Sequence, residues 1–464
     1  MKDLTQGSVT KHLLRMTAFL MGSMIFQSLY FLADMYWVGH LGKESVAAVG
    51  LAANIMLLVL AATQVLGIGT TTLVSQAAGE KNQPRANKVF HQAVTFSVLC
   101  GSIFFAVAFL LCAPYCRWLA ADSLTAQLGI RYLLWFTPAL ALQFPLISVG
   151  AALRGAGVVR PTVIILIISV VLNLVLAPVL IFGWGTGRAL GIAGAAIASL
   201  AAVTAGTVML LGYFVFGKRY LNFRGLDWRP VPGLWRKLLE IGLPSGAELV
   251  LLAIYLLLVY VLIRPFGVAA QGGFAIGARV NQSLVLPAVA VGMANAPIVG
   301  QNVGARNWGR VKQALLSSSI VGVLMMITVT ILCQRWPHAL VEPFSKQWDV
   351  IEVGTSYLRA ISLTYVATGM IFTTASVFQG VGNTRPPFLS SGLRVLAFAI
   401  PVVLLSRTSA FRLSYVWYIS AASIFLQAVL NILFLRKELQ KKIAVAAGAF
   451  TPSHASSAWS GDPD

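Results

Sequence analysis

The sequence predicts an all-α integral membrane protein: twelve transmembrane helices arranged as two pseudo-symmetric six-helix bundles. Two observations carry this fold class. Hydrophobic residues make up 58% of the 464 positions and charged residues only 10%, against about 25% charged in an ordinary soluble domain. The chain also repeats itself at a fixed offset of 225 residues, without insertion or deletion, from about residue 42 to residue 161.

Apolar stretches able to cross roughly 30 Å of hydrocarbon occupy 14–38, 46–74, 89–112, 129–152, 161–183, 190–216, 239–263, 271–300, 312–334, 351–378, 386–406 and 413–435. The second, eighth and tenth are long enough that they must tilt or bend. The first is too long for a signal peptide and has a counterpart at 239–263, so it is expected to be retained. Period-2 alternation over ten-residue segments is absent, which argues against a barrel.

The repeat maps Gly42 on Gly267, Gly67 on Gly292, Gln76 on Gln301, Gly79 on Gly304 and Tyr132 on Tyr357. It ends with Gly155, Gly157, Arg160 and Pro161 on Gly380, Gly382, Arg385 and Pro386. Six spans per half is an even number, so both halves enter the membrane the same way and their two-fold axis runs along the membrane normal. The expected divisions are a bundle at 1–216, a basic linker at 217–238, a second bundle at 239–443 and a disordered tail at 444–464 rich in Ala, Ser and Gly.

The net charge of +20 orients the chain rather than binding nucleic acid, since no basic stripe with stacking aromatics occurs. The N-terminus, the loops 75–88, 153–160, 217–238, 301–312 and 379–385, and the segment from Arg436 hold 22 of the 34 Lys and Arg residues. By the positive-inside rule that side is cytoplasmic, with both termini on it, and its charge touches anionic lipid. The four cysteines read as small apolar core residues.

Two pairs of loop motifs have mechanical readings. VSQAAGEKN (74–82) and VGQNVGARN (299–307) place a glycine where a helix is expected to end, as a C-cap requires. LRGAGVVRP (153–161) and FQGVGNTRP (378–386) join helices by a glycine turn, with proline opening the next helix. Short hairpins and gates or hinges are both open readings; the gate candidates are Gln76, Gly79, Gln301 and Gly304.

Of fourteen acidic residues, only Asp34 and Glu248 fall well inside spans. A carboxylate there is costly unless it faces a cavity, a cation or a partner, so both are candidates for ion or proton coupling. Polar residues able to line the same cleft include Gln27, Tyr30, Asn54, Gln64, Asn173 and Ser199 in the first half and Tyr255 and Gln282 in the second. Singly, such residues also serve as interhelical glue. Arg279 and Arg394 are the basic residues within spans, read as snorkelling or gating. GYFVFGKR (212–219) lacks the Ser or Thr that a phosphate-binding loop needs for magnesium and ends a span, so no ATP site is expected. No histidine lies deep in a span and no HExxH or GxSxG occurs, which argues against an intramembrane hydrolase.

From Leu14 to about Ile443 the chain resembles the MATE family, the multidrug and toxic compound extrusion transporters. The resemblance rests on LADMYWVGHLGKESVAAVGLA (32–52), VSQAAGEKN with its copy VGQNVGARN, RGAGVVRPT (154–162), NLVLAPVLIFG (173–183) and LGIAGAAIAS (190–199). It implies a V-shaped antiporter that exports organic cations in exchange for sodium ions or protons, without a cofactor, as a monomer in a bacterial inner membrane. Asp34 resembles the family's first-helix aspartate and Asn173 its fifth-helix asparagine, while Ser199 stands where threonine is common. The chain departs from the pattern at Ala177, where one branch has aspartate, and at Phe19, where proline is usual. Glu248 resembles an acidic seventh-helix site, about one turn displaced, and the tenth span has no carboxylate. A flippase for a lipid-linked precursor is the alternative; it would line its cleft with arginines.

Overall fold

The structure is a computed structural model. It describes residues 1–446 except Thr186, 217–219, Arg224, Leu226, Asp227, 409 and 410. Lys218, Arg219 and Arg224 of the expected linker, and positions 447–464 of the expected tail, lie outside the described residues.

Every described regular element is helical. Spans one to nine are α1 (Val9–Gly39), α2 (Lys43–Gly79), α3 (Gln83–Leu119), α4 (Ser123–Gly155), α5 (Arg160–Phe182), α6 (Ile192–Val215), α7 (Pro232–Ile263), α8 (Val268–Gly304) and α9 (Trp308–Arg335). A short α10 (Pro337–Val341) follows. The tenth span is broken into α11 (Trp348–Ser362) and α12 (Tyr365–Val381), bent by 55°. Then come α13 (Arg385–Leu405) and α14 (Leu413–Ala446). All twelve expected spans are present, and the tenth bends as its length requires. Helix α7 starts at Pro232, so the end of the expected linker is already helical.

The caps explain where helices stop. Asn82 and Asn307 accept hydrogen bonds from the Arg85 and Arg310 amides, starting α3 and α9. Gly157 and Gly382 adopt left-handed φ values of 77° and 86° and close α4 and α12, as a glycine cap should. Gly79 and Gly304 do not. They are the last helical residues of α2 and α8, and the left-handed cap positions are Lys81 (φ 58°) and Arg306 (φ 55°). Each is held by a paired Schellman bond, Asn82 N to Ala77 O at 3.1 Å and Asn307 N to Asn302 O at 2.8 Å. The two glycines answer a different need: a methyl on Gly79 would overlap the Gln301 carbonyl oxygen, and one on Gly304 the Gln76 carbonyl oxygen.

That reciprocal contact is the two-fold axis made visible. Around it, Gln76 Nε2 donates to Gly380 O at 2.9 Å and Gln301 Nε2 donates to Gly155 O at 3.0 Å. Thr72 Oγ1 adds a bond to Gln379 O at 2.9 Å. Beside the axis α2 packs on α7, where Gly242 and Gly246 admit Val65, and α1 packs on α8. All these contacts fall in the membrane half nearest the loops at 80–82 and 305–307, called here the basic face.

Towards the opposite, far face, the halves have separate cores. One apolar cluster there, built around Leu51, Tyr132, Phe136 and Leu140, draws only on the first half. The other, around Phe274, Tyr357, Phe398 and Trp417, draws only on the second. The cluster at the basic face mixes them: Leu13, Met16 and Leu20 pack with Ala294, Ile298 and Phe378. The molecule is therefore a V, joined at the basic face and parted at the far face.

Gly79→Ala or Gly304→Ala should wedge the joined face, at a cost of about 1–3 kcal/mol for overpacking. In a background lacking the four native cysteines, Ser75→Cys, buried beside Gly300, should then label about tenfold faster with an impermeant thiol reagent. Unchanged labelling would show that these contacts do not hold the face shut.

Candidate ion site and closed face

In the first bundle, Asp34 lies in the far half of α1, one turn beyond Tyr30. Tyr30 OH shares a hydrogen bond of 2.9 Å with Ser199 Oγ on α6, and Asn173 Nδ2 on α5 donates to the same oxygen at 3.3 Å. Asn173 and Ser199 are each 1% exposed. Asp34 Oδ1 is buried with no hydrogen-bond partner among the described residues. Tyr30 and Tyr132 both lie within electrostatic reach of its charge. The structure thus draws Asp34, Tyr30, Asn173 and Ser199 into one polar group between α1, α5 and α6, with an acid oxygen that no donor among the described residues meets.

Glu248 stands apart, half-buried on α7 in the other arm of the V, with no ion pair among the described residues. The other cleft candidates divide. Gln27, Asn54, Gln64 and Gln282 are exposed side chains on α1, α2 and α8. Tyr255 is not open to the cleft in this way. It is buried in the second bundle, its OH bonded to Ser420 Oγ at 2.5 Å and its ring under Arg394. Asn295, another polar residue of α8, is fully buried glue, donating to Ser376 Oγ at 2.9 Å. The gate candidates Gln76, Gly79, Gln301 and Gly304 all meet at the joined face, as described above.

Two features were not read from the sequence. Tyr132 is one; its repeat on Tyr357 is the signal that could have found it. The other is the N-terminal strap, Met1–Ser8, which crosses the joined face. Lys2 N bonds Ala156 O at 3.0 Å in the first half, while Leu4 N bonds Gln301 Oε1 at 2.9 Å in the second. Arg310 Nη2 bonds Gly7 O at 2.9 Å, and the Leu4 side chain is fully buried. Partial burial works against the Asp3 charge, yet hydrogen bonds from Thr5 and the nearby Lys81 and Arg310 charges hold its carboxyl below the usual range. A short polar segment before the first span carries no periodic pattern, so nothing in the sequence pointed to it.

Two like bundles, locked together on one face, parted on the other, and holding a buried acid in one arm, define a membrane transporter. The chain belongs to the MatE family, whose profile matches residues 20–179 and again 244–405, once in each half. A probable multidrug resistance protein NorM of Thermotoga maritima is 24% identical over 94% of this chain and 94% of its own. An FAD transporter of Shewanella oneidensis is 25% identical over 81% of this chain and 83% of its own. A solved multidrug resistance MATE family transporter in an outward-facing conformation shares the fold. It aligns at a TM-score of 0.87 and 22% identity, covering 95% of this chain and 98% of that one.

Two outcomes follow from this geometry. Ser199→Ala removes a hydrogen bond from both Tyr30 and Asn173 and should cost about 1–3 kcal/mol in denaturant unfolding; Ser199→Thr should not. The depressed Asp3 carboxyl stabilises the strap above the ordinary carboxylate range and releases it as pH falls through its lowered value. Amide exchange at Leu4, corrected for intrinsic rate, should therefore stay slow through the ordinary carboxylate range and speed up only at more acid pH. Asp3→Asn should abolish that acid-induced increase.

Proposed function

We propose that this chain is a secondary active multidrug efflux antiporter, exporting organic cationic and aromatic compounds in exchange for protons or sodium ions by alternating access. The observation that carries the reading is the one-sided V with Asp34 buried in the parted half of one arm. An acid oxygen there, without a partner among the described residues, is a place where a cation or a proton can be taken from the open side. Two bundles hinged about small residues can then reverse the opening.

The charge distribution supports a cytoplasmic basic face with both termini inside, in the bacterial plasma membrane. In that orientation the V is open outward, the state from which a coupling ion would enter. Asn173 and Ser199 would orient Asp34 and supply neutral oxygens to a bound ion, and Glu248 would act in the second arm. Moving one charge across 100 mV supplies about 2.3 kcal/mol, enough for roughly a fifty-fold gradient of a neutral cargo. The name of the Thermotoga relative supports drug export. The FAD transporter widens the cargo class, since FAD is aromatic but carries phosphates. The lipid-precursor flippase has less support, because Asp34 and Glu248 are both half-buried acids within the spans.

Liposomes holding the purified chain should accumulate or lose a fluorescent organic cation when a proton or a sodium gradient is imposed, each tested alone. Asp34→Asn should lower the gradient-driven flux at least about tenfold while leaving the unfolding profile unchanged. Wild-type flux in the mutant would remove Asp34 from the coupling, and no flux with either ion would sink the antiport reading.

A further inference from the structure

The two arms share one tyrosine–serine strut. Tyr255 is 225 residues after Tyr30, and Ser420 is 221 after Ser199, so the Tyr30–Ser199 and Tyr255–Ser420 bonds are copies of each other. Around this common strut the chemistry is inverted. Val259 occupies the position of Asp34, and Phe398 that of Asn173. The second arm gains a cation in return: Arg394, at the repeat position of Ser169.

Arg394 is the tenth residue of α13, about 14 Å along the helix. That depth is too great for its side chain to reach either surface. Its guanidinium lies 4.9 Å from the centre of the Tyr255 ring and donates from Nη1 to Gln427 Oε1 at 3.3 Å. Gln427 in turn donates to Ser391 Oγ at 2.9 Å. Among the described residues Arg394 makes no ion pair, and its buried Nε has no partner. One turn further along α14, Asn431 is fully buried; its oxygen accepts from Ser390 at 2.5 Å, but its Nδ2 has no partner. An arginine offers five donors and no acceptor, so this cluster has a surplus of donors and positive charge with no acid to meet it. A buried charge left in that state is costly. In the first arm the matching Ser169 and Gly206 are in direct contact: a Cβ on Gly206 would sit 2.6 Å from Ser169 Oγ. The second arm has a larger, basic group at the same place.

We propose that Arg394, backed by Gln427, Ser391 and Asn431, is an oxyanion site that takes an acidic group, a carboxylate or phosphate, of the transported molecule. The proposal rests on the transporter reading and deepens it. Cargo with a positive and a negative end would lie across the V, the cationic end towards Asp34 and the anionic end towards Arg394. A planar guanidinium binds such a group through two parallel N–H donors.

The test uses two dyes with one fluorophore, rhodamine 110, a free carboxylic acid, and its methyl ester, rhodamine 123. Binding to the full-length protein in nanodiscs is read by fluorescence polarisation, so a failure of transport itself would leave this measurement intact. Wild type should bind the acid more tightly than the ester. Arg394→Gln should weaken the acid about tenfold or more and the ester less than twofold. Arg394→Lys should recover only part of the loss, because the charge returns without the fork. If Arg394→Gln does not fold, Arg394→Lys and Gln427→Leu apply the same criterion. Equal losses for both dyes would make Arg394 a strut between helices and overturn the proposal, as would a wild-type protein with no preference for the acid. Inorganic phosphate or chloride that saturates an Arg394-dependent site without displacing the acid dye would assign the pocket to a free counter-ion and overturn the cargo role.

Discussion

Everything else in the molecule is arranged about the place where two glycines let two helices touch. Gly79 lies on the Gln301 backbone and Gly304 on the Gln76 backbone, each glycine being the other's repeat. This is an isologous contact within one chain, the kind of surface that two-fold dimers use. Its closeness leaves no room for side chains at the axis. The glutamine amides turn outward instead, each satisfying a carbonyl at a loop of the opposite half. The far ends of the helices, free of this constraint, part and build two separate cores.

A symmetric frame does not compel symmetric chemistry. The tyrosine–serine strut is kept in both arms, where it ties the first helix of a bundle to its last. Its neighbours are not kept. Among the described residues, one arm carries a buried acid oxygen that meets no donor and the other a buried guanidinium nitrogen that meets no acceptor. Interior groups of that kind are tolerated only where something else completes them. The repeat supplies the motion, and its breaks supply the polarity across the space between the arms.

The fold was legible because membrane helices must be long, apolar and internally bonded. The twelve spans, the bend in the tenth and the proline-opened α5 and α13 all follow from local composition. Asp34, Asn173 and Ser199 were legible as a group through family resemblance; in the structure Asn173 and Tyr30 share the Ser199 oxygen, and Asp34 lies one turn beyond Tyr30. Other features needed three dimensions. Gly79 and Gly304 look like caps in sequence, since a glycine before a basic residue fits that role equally well. Only the opposite helix shows that they are contact points. Tyr255 reads as a cleft residue by depth alone; its burial depends on which way α7 turns against α13 and α14. The strap at residues 1–8 has no pattern at all, because backbone hydrogen bonds to a distant surface leave no mark in a sequence.

At the axis the closed face is held by amide- and hydroxyl-to-carbonyl bonds and bare glycines, none of them charged. An electric field does no work on neutral contacts that separate. Membrane voltage therefore has no direct hold on these central contacts, and it acts on the cycle mainly through whatever charge rides in the arms. The latch is blind to the potential, and the load senses it.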